Sequence, residues 1–256
     1  MNIIVCIKRV PQTAEADVKI DASGKDIIKD RLTYDMNESD TYALEQAILL
    51  KEKHGGSVTV ISLGYPDTED TLRIALAKGA DTAIRIKAEE FGVFDGYKTA
   101  KILASVIKGL PYDLILTGCM ATDDAYSLVG QTVAELIGIP HATLVTKFEI
   151  NGNRAQVYRE LEGGLLEHLD IVLPLLVTIQ TGINTPRFAS LIAIRRAASK
   201  EIKSIGATEI GQEIESNSMI ESLFVPPVGK RAEILTGSVD EVATKLSTVI
   251  KDKGLI

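Results

Sequence analysis

Short unbroken apolar runs alternate with segments of helical spacing as far as residue 150. Residues 3–7 (Ile3, Ile4, Val5, Cys6, Ile7) read as a strand buried on both faces, because such strands carry no polar alternation. Asn37, with Asp40 three residues on, can open a helix whose apolar face holds Ala43, Leu44, Ala47 and Ile48. Lys51, Lys53, His54 and Gly55 mark its end, where cations and a left-handed glycine are favoured. The same alternation predicts strands over 58–63, 83–86 and 114–117. It predicts helices after Asp67 (to Gly79), over 97–108 and over 127–137. Four strand–helix units in a row predict a doubly wound, mostly parallel α/β sheet with helices on both faces.

After His141 the period changes. Residues 142–150, 155–161, 166–173 and 175–180 read as strands separated by Asn151-Gly152-Asn153 and Gly163-Gly164 turns, an antiparallel extension of the same sheet. From Pro186 no clear period survives, and the run Phe224-Val225-Pro226-Pro227-Val228-Gly229 is neither helix nor central strand. A last helix opens at Ser238, with Glu241 completing a capping box. The expected division is therefore an α/β unit over 1–185 and an extended C-terminal arm over 186–256 that ends in a helix. Such an arm lacks a core of its own and calls for a partner chain.

Composition narrows the functional classes. A chain of 256 residues, 45% hydrophobic and 25% charged, can build a globular core and is not a disordered or disulfide-framework protein. Its 28 basic and 35 acidic residues leave a net charge of −7, which argues against nucleic acid or an anionic membrane as partner. The longest apolar stretch, 171–179, contains Pro174 and falls short of the roughly 20 residues needed to span a bilayer. The N-terminus has no basic region ahead of its apolar run, and Cys6 and Cys119 are the only cysteines. A reducing, cytoplasmic setting is expected.

No nucleophile–base pair or metal-ligand set stands out: His54, His141 and His168 are isolated, and neither cysteine belongs to a Cys-x-x-Cys motif. The two standard glycine-rich nucleotide fingerprints are absent as well. What remains is position. Ligands of doubly wound sheets bind beyond the carboxyl ends of the strands, where strand order reverses. The loop from Gly118 to Gly130 is small-residue-rich and leads into a helix N-terminus suited to a phosphate; an ordinary capped loop would have the same spacing.

One long stretch does carry a resemblance. Val157-Tyr158-Arg159-Glu160-Leu161-Glu162-Gly163-Gly164, continuing through Leu173-Pro174 and Thr178 to Asn184-Thr185-Pro186-Arg187-Phe188, closely resembles the signature of electron-transfer flavoprotein β subunits. Ile7-Lys8-Arg9-Val10, Asp35-Met36-Asn37 and Ala77-Lys78-Gly79-Ala80-Asp81 are similar to the family too, so the resemblance covers nearly the whole chain.

The resemblance implies a heterodimer in which a larger α subunit carries FAD on a mobile domain. Flavin dehydrogenases reduce that dimer, which passes electrons to an acceptor such as a membrane quinone oxidoreductase; the β subunit itself catalyses nothing. It implies AMP buried in this chain, or a second FAD in electron-bifurcating members. By position, the pocket takes Cys6, Asn37, Glu38, Ser39, Asp40, Leu63, Gly118, Cys119, Met120, Ala121, Thr122, Asp123, Asp124, Ala125, Tyr126, Ser127, Leu128 and Val129. Leu191, Ile194 and Arg195 fall in the partner-recognition segment, and Glu160 matches a glutamate that steers the flavin domain. Gly118-Cys119-Met120-Ala121-Thr122-Asp123 departs from the Gly-Arg/Lys-Gln-Ala-Ile-Asp stretch of many members. A stand-alone adenine-nucleotide-binding stress-type protein would share the fold, but normally has a Gly-rich phosphate motif that this chain lacks.

Overall fold

The computed structural model describes residues 1–13, 16–30, 32–211, 214–227, 229 and 232–255. Val228 of the proline-containing run lies outside the described residues. A nine-stranded sheet runs through the molecule. Strand order reverses at β1 (Asn2–Cys6), the fourth strand from one edge. On one side follow β4 (Ser57–Gly64), β5 (Thr82–Lys87) and the edge strand β11 (Ile202–Ile205); on the other follow β6 (Leu114–Gly118), β10 (Leu175–Ile179), β7 (His141–Asn151), β8 (Arg154–Leu161) and β9 (Leu165–Val172). All pairings are parallel except β7 with β8 and β8 with β9.

Alternate side chains of each strand feed two cores. Ile3 and Val5 face α1 (Glu38–His54) and α2 (Thr68–Lys78), whereas Ile4 and Cys6 face α3 (Gly96–Ile107) and α4 (Val129–Ile137). Both faces of the sheet are thus covered, which is why its inner strands can be apolar throughout.

Three features differ from the expectations. β10 lies between β6 and β7, parallel to both, so only β8 and β9 form the antiparallel extension. α4 begins at Val129 and not at Ser127, because Ala125 (φ 54°) and Ser127 (φ 48°) have left-handed backbones that no α-helix accepts. The stretch after Pro186 contains α5 (Leu191–Ala198), β11 and α6 (Ala207–Ile210), and β11 returns the chain to the edge of the sheet beside β5. Beyond α6, Ile214 packs into the second core, the Asn217 and Ser218 N–H groups donate to Asp95, and the Leu223 N–H donates to the Gly24 carbonyl at 2.7 Å. Phe224, Val225 and Ile234 are exposed, and α7 (Val239–Asp252) buries no residue, although its Ser238–Glu241 capping box is formed.

Candidate functional site

The sheet changes direction at β1, whose neighbours β4 and β6 lie on opposite sides. Just beyond the carboxyl ends of β1 and β6 the first turn of α1 meets the loop after β6, and polar side chains join the two. The Asn37 amide Nδ2 donates to the Met120 carbonyl (2.9 Å), and its Oδ1 accepts from the Thr122 N–H (3.1 Å). Ser39 Oγ donates to the same Met120 carbonyl (2.8 Å). Asp40 holds both strand ends: its carboxylate accepts from Lys8 N–H (2.7 Å) and Gly118 N–H (3.0 Å). Asn37 and Asp67 precede their helices without side-chain capping bonds; Asn37 turns to the loop and Asp67 to Arg9 at 2.9 Å.

A short ribbon fixes this geometry. β2 (Arg9–Pro11) pairs antiparallel with β3 (Tyr34–Met36), and the Asn37 N–H closes it on the Lys8 carbonyl at 2.8 Å. The Arg9 guanidinium lies 3.9 Å from the centre of the Tyr34 ring. Lys8 and the first turn of α1 are therefore held side by side. Lys8 Nζ then reaches across to Asp123 (2.6 Å) and Asp124 (2.8 Å), offsetting the acidic pair within the loop. Burial works against the lysine's charge, but the two carboxylates hold its pKa above the ordinary value.

The crease admits no side chain at its narrowest points. A Cβ on Gly118 would lie 2.2 Å from Asp40 Oδ1 and from Ser39 Oγ, and one on Gly130 would lie 2.7 Å from Thr117 Oγ1. Burial pushes the Asp40 carboxyl up to about 7 and the Cys6 thiol up to about 12. A thiol so raised is protonated at neutral pH and is no nucleophile. Cys119 lies in the loop, its Sγ 3.0 Å from Gln180 Oε1. Among the described residues no three His, Cys, Asp or Glu side chains gather as metal ligands, and no helix is long and apolar enough to cross a membrane.

The crease offers a phosphate group one feature of this chain's own. α4 opens at Leu128 without a side-chain cap, leaving its first N–H groups for a phosphate. Met120, Tyr126 and Leu128 offer exposed apolar surface along the same loop. Of the sequence-predicted set, Asn37, Ser39 and Asp40 come together with Gly118, Met120, Thr122 and the rest of the 119–128 loop. Cys6 is buried at the end of β1, Glu38 is exposed, and Leu63 stands one strand away, paired with Ile86. Lys8, Thr117 and Gly130 also build the crease. Lys8 is the first polar residue after the opening apolar run, which is the one signal the sequence offers for it.

The remaining predicted residues lie elsewhere. Glu160 is exposed on β8, and Arg159 turns from it to pair across the ladder with Glu167. Leu191, Ile194 and Arg195 are on α5, where Leu191 is 77% and Ile194 46% exposed.

The electron transfer flavoprotein domain model matches residues 26–210. The chain is 36% identical over 264 residues to the electron transfer flavoprotein subunit beta of Methylophilus methylotrophus, covering 98% of each chain. It is 35% identical over 260 residues to the Bacillus subtilis (strain 168) subunit of the same name, covering 100% of both. It is also 34% identical over 265 residues to the caffeyl-CoA reductase-Etf complex subunit CarD of Acetobacterium woodii, again covering 100% of both.

Proposed function

The chain belongs to the electron transfer flavoprotein family, and from that premise we propose that it is the β subunit of an electron-carrying heterodimer, holding AMP while an α subunit holds FAD. The observation that carries this reading is the crease where the first turn of α1 meets the loop leading into α4: glycine-walled and opening on an uncapped helix. A nucleotide there would tie the ends of β1 and β6 to α1 and α4. It would stabilise the folded form by mass action and undergo no reaction.

Identity alone does not choose between AMP and a second FAD, since the subunit of the caffeyl-CoA reductase complex matches almost as well. The choice of AMP is supported by the Glu162-Gly163-Gly164 turn, whose glycines sit at φ 76° and 75°, and by the unbroken 157–188 signature. Denaturing the purified heterodimer should release about one FAD and one AMP per dimer, read by mass spectrometry. Two FAD without AMP would sink the AMP reading and leave the family assignment standing.

The nucleotide unit of residues 1–185 is completed by β11 at its sheet edge, so within the expected arm from 186 onward it is α5 that meets electron donors and the stretch beyond Leu223 that covers the α subunit. Exposed Phe224, Val225, Ile234 and α7 supply apolar surface for the α subunit. Leu191, Ile194 and Arg195 dock a flavin dehydrogenase, an apolar anchor ringed by Arg195, Arg196 and Lys200. Glu160, free of Arg159, pairs with a cation on the mobile flavin domain. An exposed pair is worth about 0–1 kcal/mol, enough to shift a domain equilibrium up to about fivefold but not to hold a dimer together. Electrons leave to an acceptor such as a membrane quinone oxidoreductase.

Two variants separate these roles. Leu191→Ala should raise KM for the dehydrogenase with FAD content unchanged. Glu160→Ala should alter the interflavin transfer rate or the domain distribution seen by solution scattering, with AMP retained. A Glu160→Ala chain that fails to assemble would make that residue structural, and a Leu191→Ala chain with unaltered kinetics and a lower Tm would place Leu191 in the core.

A further inference from the structure

α5 has eight residues and buries only Ala197. Helices much shorter than about 12 residues do not hold their shape unaided in water, so packing or anchoring must fix this one. Yet its outer side presents Phe188 just ahead of it, Leu191 and Ile192, exposed by 97%, 77% and 64%.

Both ends are held by charged side chains of the body. Ahead of α5, the Arg187 guanidinium straddles two acids of α1: Nε and Nη2 donate to Glu45 (2.9–3.0 Å), and Nη1 and Nη2 donate to Glu52 (2.6 and 3.0 Å). The Arg187 backbone N–H adds a bond to Glu45 at 3.0 Å. Glu45 is buried, so this pairing is shielded from solvent. Three residues earlier, Asn184 Nδ2 donates to the Tyr42 carbonyl (3.0 Å) and Gln46 Oε1 (3.2 Å) on the same helix. After α5, Arg73 of α2 sends one nitrogen, Nη1, to the carbonyls of Ala197 (3.2 Å), Ala198 (3.0 Å) and Lys200 (3.3 Å). Ala197 and Ala198 belong to the last turn of α5, whose carbonyls have no partner further along the helix, and the Ala197 carbonyl also accepts the Lys200 N–H at 3.1 Å. Lys200 Nζ in turn donates to the Ala80 carbonyl at 3.2 Å.

We infer that Arg187 and Arg73 are positioning residues for partner docking, clamping the two ends of α5 so that the Phe188–Leu191–Ile192 surface is ordered before a partner arrives. The inference rests on the docking role proposed for α5. A segment ordered in advance loses less entropy on binding than one ordered in the encounter, so loss of a clamp weakens docking without touching the flavin chemistry.

The test uses the complete heterodimer and a purified flavin dehydrogenase that reduces the wild type. Arg73→Gln and Arg187→Gln should speed amide exchange at Ala193 and Ile194 by about tenfold, with exchange in β1 and β6 unchanged. Each should raise KM about fivefold, as Leu191→Ala does, while kcat stays within about twofold. Arg73→Lys should restore both readouts, because one ammonium can serve three carbonyls as one guanidinium nitrogen does. Arg187→Lys should not, because a shorter side chain ending in one ammonium lacks the planar fork whose three nitrogens engage both oxygens of Glu45 and of Glu52. Should Arg187→Gln fail to fold around unpaired Glu45, the Arg73 pair decides.

Unchanged exchange at Ala193 and Ile194 in Arg73→Gln overturns the clamp whatever the kinetics. Faster exchange with KM altered only in Leu191→Ala overturns its part in docking and leaves the docking role standing. An unaltered KM in Leu191→Ala removes the docking role, and the inference with it.

Discussion

Replacing Gly118 by alanine should empty the crease of the nucleotide proposed for it and lower stability by about 3 kcal/mol or more, since two or three buried hydrogen bonds are lost at about 1–3 kcal/mol each. The added Cβ would meet Asp40 Oδ1 and Ser39 Oγ at 2.2 Å and the Asp40 backbone nitrogen at 2.9 Å. None of these can swing aside at little cost. Asp40 Oδ1 is engaged by the Gly118 N–H and Ser39 Oγ by the Met120 carbonyl, and both side chains belong to the buried first turn of α1. Relief requires α1 and the end of β6 to move apart. That breaks the bonds that shape the 119–128 loop and removes any stabilisation a bound nucleotide supplies. Gly152→Ala is the control. Gly152 has φ 63° at the β7–β8 turn, and a Cβ there would meet nothing within 4 Å, so only backbone strain of about 1 kcal/mol is expected. Nucleotide content and Tm of the two variants check this. A Gly118→Ala protein that keeps its nucleotide and loses no more stability than Gly152→Ala would show that the crease yields, and would remove close approach as the reason for glycine.

The contrast between those glycines is one that spacing alone does not expose. What was legible was set by local pattern. β1, β4, β5 and β6 stand out as apolar runs because both their faces are buried, and α1 stands out because Ala43, Leu44, Ala47 and Ile48 share one face. The place of the small-residue loop after β6 was legible because a strand-order reversal was expected beside it, and the loop does meet the first turn of α1 there. The pleat was legible too: Arg159 and Glu160 point to opposite faces, and Arg159 pairs with Glu167 across the ladder.

The rest depended on tertiary placement. Asn37 and Asp40 have the spacing of a helix cap, but both turn to the neighbouring loop and strand ends. Lys8 meets Asp123 and Asp124 from more than a hundred residues away. α5 escaped the periodic reading because its eight residues make barely two turns, too few to establish a period. Leu191, Ile192 and Ile194 are exposed while Ala197 carries its only full burial, so hydrophobicity and burial run opposite to each other there.

Placement also decides the second large effect. Leu176→Ala should cost about 2–5 kcal/mol, the range for a buried leucine whose cavity cannot collapse. Leu176 is fully buried in β10, between Ile115 of β6 and His141 of β7, and its Cδ2 would lie 3.6 Å from a Cβ on Gly130 at the start of α4. Strands on both sides and a helix above leave little freedom to close the gap. Leu166, ten residues earlier in the same apolar-rich signature, is 63% exposed on β9. Its replacement by alanine should change stability by no more than about 0.5 kcal/mol. A chain that continued its hairpin ladder outward through β10 would put that strand at the sheet edge and bring the two costs together. Urea unfolding of the two variants separates the arrangements, because each shift in midpoint, scaled by the common slope, reports the difference in stability. A Leu176→Ala midpoint within error of that for Leu166→Ala would take β10 out of the centre of the sheet.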